Sequence, residues 1–237
     1  MRRIAFTGLA LVAVLASATY GFGMGRLGWP PAADLEAGLR MLSPAFRPQS
    51  WAERHYSQRA AYYRSLPGTA PNVMLGDSLT EAANWDELIP GANIINRGIS
   101  GDTCEGLLKR LDEVISRRPK RVFILCGTND VGAEVPDDRV AAAVAEMAKA
   151  LRAAGAEPIV QSVPLTSWSS RNTRTGTLND RLRAAAREMN LRYIDLNPAL
   201  APGDRLLPHL TTDGVHLTGA AYRLWADEIR KSLDAES

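Results

Sequence analysis

The chain has 237 residues, 46% hydrophobic and 23% charged, enough to bury one sizeable core and leave an appendage. Its 28 basic and 26 acidic residues leave a net charge of only +2, which excludes the strong field expected of a nucleic-acid binder or of a receptor for a highly acidic substrate. Two cysteines, Cys104 and Cys126, are too few for a disulfide scaffold.

The amino terminus, Met1-Arg2-Arg3, is followed by an uncharged stretch from Ile4 to Met24, the next cation being Arg26. Residues 1–25 therefore read as an export segment, with two forms open. Ala16-Ser17-Ala18 fits a small-residue cleavage site that would release the protein. The stretch is also just long enough to span a bilayer, and Tyr20 to Met24 stays apolar where a cleavage region turns polar, which favours an uncleaved anchor. Arg2 and Arg3 hold the short end inside, so the rest is expected on the extracytoplasmic (periplasmic) face of the inner membrane.

Residues 26–70 read as a linker and an N-terminal helical extension. Gly28-Trp29-Pro30-Pro31 is a stiff exit, and Ala32 to Leu42 has a short helical pattern. Ser50-Trp51-Ala52-Glu53 is a capping box, and Tyr56, Ala60 and Tyr63 recur at helical spacing, predicting a helix over 50–65 packed on the main domain. Arg54, Arg59 and Arg64 are expected on its solvated face, and His55 at the surface.

From Pro71 to the end, strands and helices alternate. Strand-like runs lie at Val73 to Leu75, Asn93 to Asn96, Val122 to Leu125, Pro158 to Gln161 and Tyr193 to Leu196. Between them, Asp102 and Glu105 are expected to cap a helix carrying Leu107, Leu111 and Val114; Asp137 opens another with Val140, Val144, Met147 and Leu151 inside; Leu178, Leu182, Ala185 and Met189 mark a third. A last helix begins near Thr218 and buries Ala221, Trp225 and Ile229. This alternation predicts an α/β fold, a three-layer α/β/α sandwich on a five-stranded parallel sheet, with ligands bound outside the carboxyl ends of the strands.

The residues just after the strands carry the chemistry. Gly76-Asp77-Ser78 ends the first, Asn96-Arg97-Gly98-Ile99-Ser100-Gly101-Asp102 comes after the second, and Gly127-Thr128-Asn129-Asp130 after the third. Downstream, Thr212-Asp213-Gly214-Val215-His216 places an aspartate and a histidine in one loop before the last helix. A serine hydroxyl becomes a useful nucleophile when an imidazole removes its proton, and an aspartate fixes the tautomer of that imidazole. Of the three histidines, His55 precedes the domain and His209 lacks an acidic neighbour at such spacing, which leaves His216 with Asp213 beside Ser78. An oxyanion would need fixed donors, and the Ser78 and Gly101 backbone N–H groups and the Asn129 amide are the candidates.

On these blocks the sequence resembles the SGNH (GDSL) hydrolase family over roughly 72–233, with Ser78, Gly101, Asn129 and His216 matching its four named residues and Asp213 its aspartate. The sequence departs from many relatives at Glu81-Ala82-Ala83, where they carry a glycine. The resemblance implies that residues 71–237 are a flavodoxin-like hydrolase domain and that the protein is a serine esterase needing no cofactor. It admits acetylated glycans, small esters, lysophospholipids and acyl thioesters as substrates, and acyl transfer to a polysaccharide as an alternative reaction. It also implies strand order 2-1-3-4-5, which would hold the second and third strands about 9.6 Å apart. Cys104 and Cys126 lie after those strands, so two buried free thiols are expected rather than a disulfide. No GxSxG elbow, HExxH or cysteine-rich zinc pattern occurs.

Two further residues are candidates for the substrate pocket: Asp77, next to the serine, and Trp168. The segment from Ser162 to Gly176, rich in Ser, Thr and Arg, reads as a long polar loop forming a pocket wall around Trp168, with little apolar surface for a long acyl tail.

Overall fold

In the computed structural model, which describes residues 50–234, five short parallel strands line up in the order β2-β1-β3-β4-β5. They are β1 (Asn72–Gly76), β2 (Ile94–Gly98), β3 (Arg121–Leu125), β4 (Glu157–Gln161) and β5 (Arg192–Ile194). Alternation along them divides the core. Val73, Leu75, Val122, Ile124 and Val160 face one side of the sheet, and Met74, Phe123, Leu125 and Ile159 face the other. Both sets are buried because helices cover both faces, the three-layer arrangement that near-continuous apolar strands require.

On the first face lie α4 (Cys104–Lys109), α5 (Leu111–Ser116), α7 (Asp137–Ala153) and α8 (Ser169–Glu188), supplying Leu107, Val114, Met147, Leu151, Leu178 and Leu182. The opposite face is covered by α3 (Trp85–Leu88), α9 (Asn197–Leu200) and α10 (Gly219–Asp234). There Trp85 and Trp225 meet edge to face, with ring centroids 4.9 Å apart, and Tyr222 stacks on Trp225. Two shorter turns, α2 (Ser78–Glu81) and α6 (Thr128–Gly132), begin directly at strand ends.

Residues from Trp51 onward form one compact unit. It includes α1 (Trp51–Ser65), whose Ala60 and Tyr63 pack against Ile99. Tyr63 Oη donates to the Gly98 carbonyl at 2.8 Å, and Arg117 Nη2 reaches the Tyr63 carbonyl at 2.6 Å. Two expectations for this helix are corrected. His55 and Arg59 are not on a solvated face: both are partly buried against the Glu81 carboxylate, at 3.1 and 2.7 Å. The cause is tertiary, since a buried carboxylate needs cations and donors around it. Among the described residues no helix is long and apolar enough to cross a membrane; the stretch from Ile4 to Met24 and the helix expected over 32–42 lie outside them.

The helix expected after Asp102 is broken in two. Thr103, not Asp102, is the N-cap of α4, its side chain accepting from Gly106 N, while the Asp102 carboxylate turns inward to Arg110. Arg110 in turn leaves the helical path between α4 and α5. The segment that reads as a polar loop is also different, because α8 already begins at Ser169. Its inward face there is polar: Asn172 accepts from Thr166 N and donates to the Thr166 carbonyl, and Asn179 does the same for Val163. Those asparagines satisfy the backbone of the short loop after β4, and they hide the apolar periodicity that would have signalled a helix.

Candidate active site

Ser78 stands on a turn with no slack. A Cβ on Gly76 would lie 2.1 Å from Thr80 Oγ1 and 2.8 Å from the Leu125 carbonyl oxygen, so only glycine lets β1 fold straight into α2. Asp77 is the N-cap, its Oδ1 accepting from Leu79 N at 2.9 Å. The carbonyls at the other end of this four-residue helix find side-chain donors. Trp85 Nε1 and Asn96 Nδ2 reach the Thr80 carbonyl at 3.0 and 2.8 Å, and Tyr222 Oη reaches that of Leu79 at 2.9 Å.

Asp77, expected as a pocket residue, is completely buried. Its carboxyl is pushed up to about 7, chiefly by burial, with Asp102 and Asp130 adding to the rise while the Leu79 N–H opposes it. Its Oδ2 has no hydrogen-bond partner, which a neutral acid tolerates better than a carboxylate.

The histidine arrives from the far end of the chain. His216 Nε2 lies 3.2 Å from Ser78 Oγ, and His216 Nδ1 lies 2.7 Å from Asp213 Oδ2. Asp213 Oδ1 accepts the backbone N–H groups of Val215 and His216 at 2.9 and 2.8 Å. The His216 side-chain hydrogen bond, followed by these backbone bonds, holds the Asp213 carboxyl down at about 2. The loop closes on itself through a bridge between Thr211 and Leu217, and Thr211 Oγ1 donates to the His216 carbonyl at 2.8 Å. Gly214 has φ +90°, and a Cβ there would lie 3.0 Å from the Trp168 ring. Trp168, 48% exposed, thus packs beside the histidine loop, and the neighbouring Ser167 N–H donates to the Gly214 carbonyl at 2.9 Å.

Register brings the other two blocks to the same sheet edge. Gly76 pairs with Gly98 on one side and Leu125 on the other, so the chains leaving β2 and β3 flank the Ser78 turn. Gly101 has φ +81° with open space where a Cβ would point, so its conformation rather than its neighbours requires glycine. Asn129 Nδ2 donates to the Asp102 carbonyl at 2.8 Å, joining the two flanking loops. Beneath them the buried Arg110 pairs with Asp102 at 2.7 Å and caps the Gly76 and Arg97 carbonyls at 3.1 and 2.8 Å.

Cys104 and Cys126 form a disulfide with Cα atoms 5.2 Å apart, correcting the expectation of free thiols. Strands β2 and β3 are indeed separated by β1, but Cys104 is not at the end of β2. The chain crosses over the end of β1 through Ile99 to Thr103 before α4 starts, and this crossing carries Cys104 to Cys126. Cys104 N also donates to Asp130 Oδ2 at 3.1 Å. Sequence reasoning misses Arg110, Asn96 and Tyr222 as supports of the site. Each acts on backbone groups far away in the chain, and no local pattern signals that.

Among the described residues, no group of three or more His, Cys, Asp or Glu side chains is placed to hold a metal ion. A groove of about 770 Å³ lies between α1 and the outer edge of β2, lined by Tyr62, Tyr63, Leu66, Asn93 and Arg97, and shares no residue with the serine, histidine and aspartate.

A parallel 2-1-3-4-5 sheet with a serine, a histidine and an aspartate joined at its carboxyl edge defines a hydrolase of the GDSL class. Residues 74–224 match the GDSL-like lipase/acylhydrolase family, and the chain belongs to that family; it is a carboxylic ester hydrolase. It is 24% identical over 202 residues to the isoamyl acetate-hydrolyzing esterase of Saccharomyces cerevisiae, covering 68% of this chain and 85% of the yeast protein. Among solved structures, a GDSL-like lipase from Bacteroides thetaiotaomicron superimposes with a TM-score of 0.68 at 26% identity, over 79% of this chain and 100% of that one. The fold is also that of a psychrotrophic esterase from Pseudoalteromonas, with a TM-score of 0.59 at 22% identity over 69% of this chain and 96% of that one.

Proposed function

We propose that the protein cleaves short-acyl esters, such as O-acetyl groups on glycans, through an acyl-serine intermediate on Ser78. The observation that carries the mechanism is the continuous relay from Ser78 Oγ through His216 to Asp213. In this reading Ser78 Oγ attacks the ester carbonyl carbon while His216 Nε2 takes its proton. Asp213, ionised at any working pH, keeps the Nδ1 proton in place and stabilises the imidazolium. The oxyanion sits among the N–H groups of Ser78 and Gly101 and the second amide N–H of Asn129. Collapse breaks the bond to the alcohol oxygen, which leaves with the His216 proton. Water then attacks the acyl group, giving its proton to His216, and the carboxylic acid departs as Ser78 recovers its hydrogen.

The short-acyl reading rests on the surroundings of the relay. His216 and Asp213 are 49% and 54% exposed, and Trp168, 48% exposed, is a large aromatic side chain that packs beside their loop. An open site of this kind admits a bulky alcohol such as a sugar but wraps little of a long acyl chain. Each buried methylene stabilises a bound chain by about 0.8 kcal/mol, so a pocket built for long chains would raise kcat/KM several-fold per added CH₂. Profiling the full chain against acetyl to palmitoyl esters should instead give a maximum between acetyl and butyryl, and Trp168→Ala should lower kcat/KM on those esters several-fold at an unchanged thermal midpoint. Steady gains up to palmitoyl would reject this reading in favour of a lysophospholipase or thioesterase. Acylated glycan formed from an added acceptor would identify an acyltransferase.

We also place the domain outside the cytoplasm. The buried Cys104–Cys126 disulfide suits an oxidising compartment, and the uncharged run from Ile4 to Met24 suits export with retention in the membrane. Membrane fractions should retain the protein through carbonate extraction, whereas a mature terminus at Thr19 would reveal cleavage and release.

A further inference from the structure

The carboxylate of Glu81 sits where three parts of the molecule meet. It closes α2, the turn that begins with Ser78. Its Oε2 accepts both the backbone N–H and the hydroxyl of Ser100, each at 2.6 Å, and Ser100 immediately precedes Gly101. From the other side α1 supplies His55 Nε2, 3.1 Å from each carboxylate oxygen, and Arg59 Nε, 2.7 Å from Oε1 in a charge contact without hydrogen-bond alignment. His55 and Arg59 stand one helical turn apart, so both reach the same carboxylate.

The side chain is only 13% exposed. Burial alone would raise the Glu81 carboxyl, yet the Ser100 hydroxyl and His55 hold it below the usual glutamate range. A buried carboxylate with this many donors is a fixed point. The helix that supplies the charges is itself locked, by Tyr63 Oη on the Gly98 carbonyl and by the Arg97 guanidinium 4.7 Å from the Tyr63 ring. This helix lies outside residues 74–224, the span that matches the family.

We infer that Glu81 is a positioning residue that ties the Ser78 turn to the Gly101 donor loop, and that α1 sets the geometry of that donor loop through His55 and Arg59. The inference rests on the reading of Ser78 as nucleophile and Gly101 as oxyanion donor. A Cβ on Gly101 would point into open space, so no contact there holds the loop; Asn129 and Arg110 tie it down on the Asp102 side, and the other side needs an anchor of its own. Ser100 provides it, through Glu81. A donor displaced by about 1 Å loses much of its transition-state interaction while ground-state ester binding is little affected, which places the effect in kcat rather than KM.

The test uses the full chain and a p-nitrophenyl acetate assay with separate kcat and KM values. Glu81→Ala should lower kcat about a hundredfold with KM within about twofold of wild type. Glu81→Gln, which keeps one acceptor oxygen but not the charge, should recover part of this and sit about tenfold below wild type. Arg59→Ala should reduce kcat several-fold in the native background and have no further effect on top of Glu81→Gln, because the helix acts through that side chain. If Glu81→Ala fails to fold, the Glu81→Gln and Arg59→Ala cycle carries the test alone. Wild-type kcat in both Glu81→Gln and Arg59→Ala, or an undiminished Arg59→Ala effect in the double variant, overturns the inference while leaving the Ser78 mechanism standing. Retained turnover in Ser78→Ala would instead bring down the mechanism beneath it.

Discussion

The two halves of this site are built in opposite ways. On the side of Ser78, Gly101 and Asn129, the supporting groups are buried or partly buried and come from distant parts of the chain: Asp102 with Arg110, Asn96, Tyr222, and the Cys104–Cys126 disulfide. On the side of His216, the supports are local, Asp213 and Thr211 within five residues, and both ionisable groups are about half exposed. In the mechanism proposed above, the difference reflects the work each half does. Donors for a developing negative charge must not reorganise, and burial among satisfied polar groups provides that rigidity. An imidazole that accepts and returns protons needs orientation from one carboxylate and access to water for the second step, which an exposed short loop allows.

Removing chemistry from either half should break both equally. Ser78→Ala and His216→Ala should each lower kcat/KM on the order of a millionfold, whereas Asp213→Asn should leave a measurable remainder, down by at most about ten-thousandfold. Steady-state assays with an active-site titrant to exclude wild-type carry-over would check this, and wild-type activity in Ser78→Ala would sink the assignment.

Damaging the supports should separate the halves. Opening the disulfide, by reduction or by a Cys104→Ala, Cys126→Ala double variant, releases a crosslink of sequence separation 22 and should cost about 3 kcal/mol of stability. Because the crosslink joins the segments that carry Gly101 and Asn129, kcat should also fall below the midpoint of thermal unfolding. Denaturant melts paired with assays at 25 °C read both; unchanged stability would mean that the crosslink adds nothing to the rigid half.

The smallest effect sharpens the comparison through pH. Asp77 has its folded-state value near 7, above that of an exposed aspartate, so the unfolded chain releases this proton first as pH rises. Its contribution to stability therefore falls between about pH 4 and pH 7 and is level above. Asp77→Asn, which mimics the neutral acid and keeps the cap on Leu79 N, should be more stable than wild type at pH 8 and equal to it at pH 4. Asp213, shifted the other way to about 2, keeps its contribution down to acid pH and loses it only as pH falls below its ordinary value through 2. Equal thermal midpoints of wild type and Asp77→Asn across that range would show that the buried half does not store this cost.

Legibility in the sequence differs between the halves as well. The exposed half reads directly, since Asp213 and His216 are three residues apart and the carboxylate binds the histidine and the loop's own N–H groups. Of the buried half, the sequence displays Ser78, Gly101 and Asn129 but none of the side chains that hold them. Arg110 carries no local signal of its role, and its partners Gly76 and Arg97 are 34 and 13 residues away. Trp168 reads as part of a long loop, and it instead precedes α8 and packs on Gly214.

The sequence alone carried the alternation of strands and helices, and with it the parallel sheet and the edge that holds the candidate site, because hydrophobic periodicity and turn residues are local properties of a chain. It likewise displayed the candidate reactive groups, since Ser78 follows the first strand and Asp213 and His216 share one loop. Only the tertiary structure decided the Cys104–Cys126 pairing, the inward turn of Arg110 and the docking of α1 on Glu81. Those depend on where crossover loops travel in space and on which buried charge needs a partner, and neither is written in the spacing of residues along the chain.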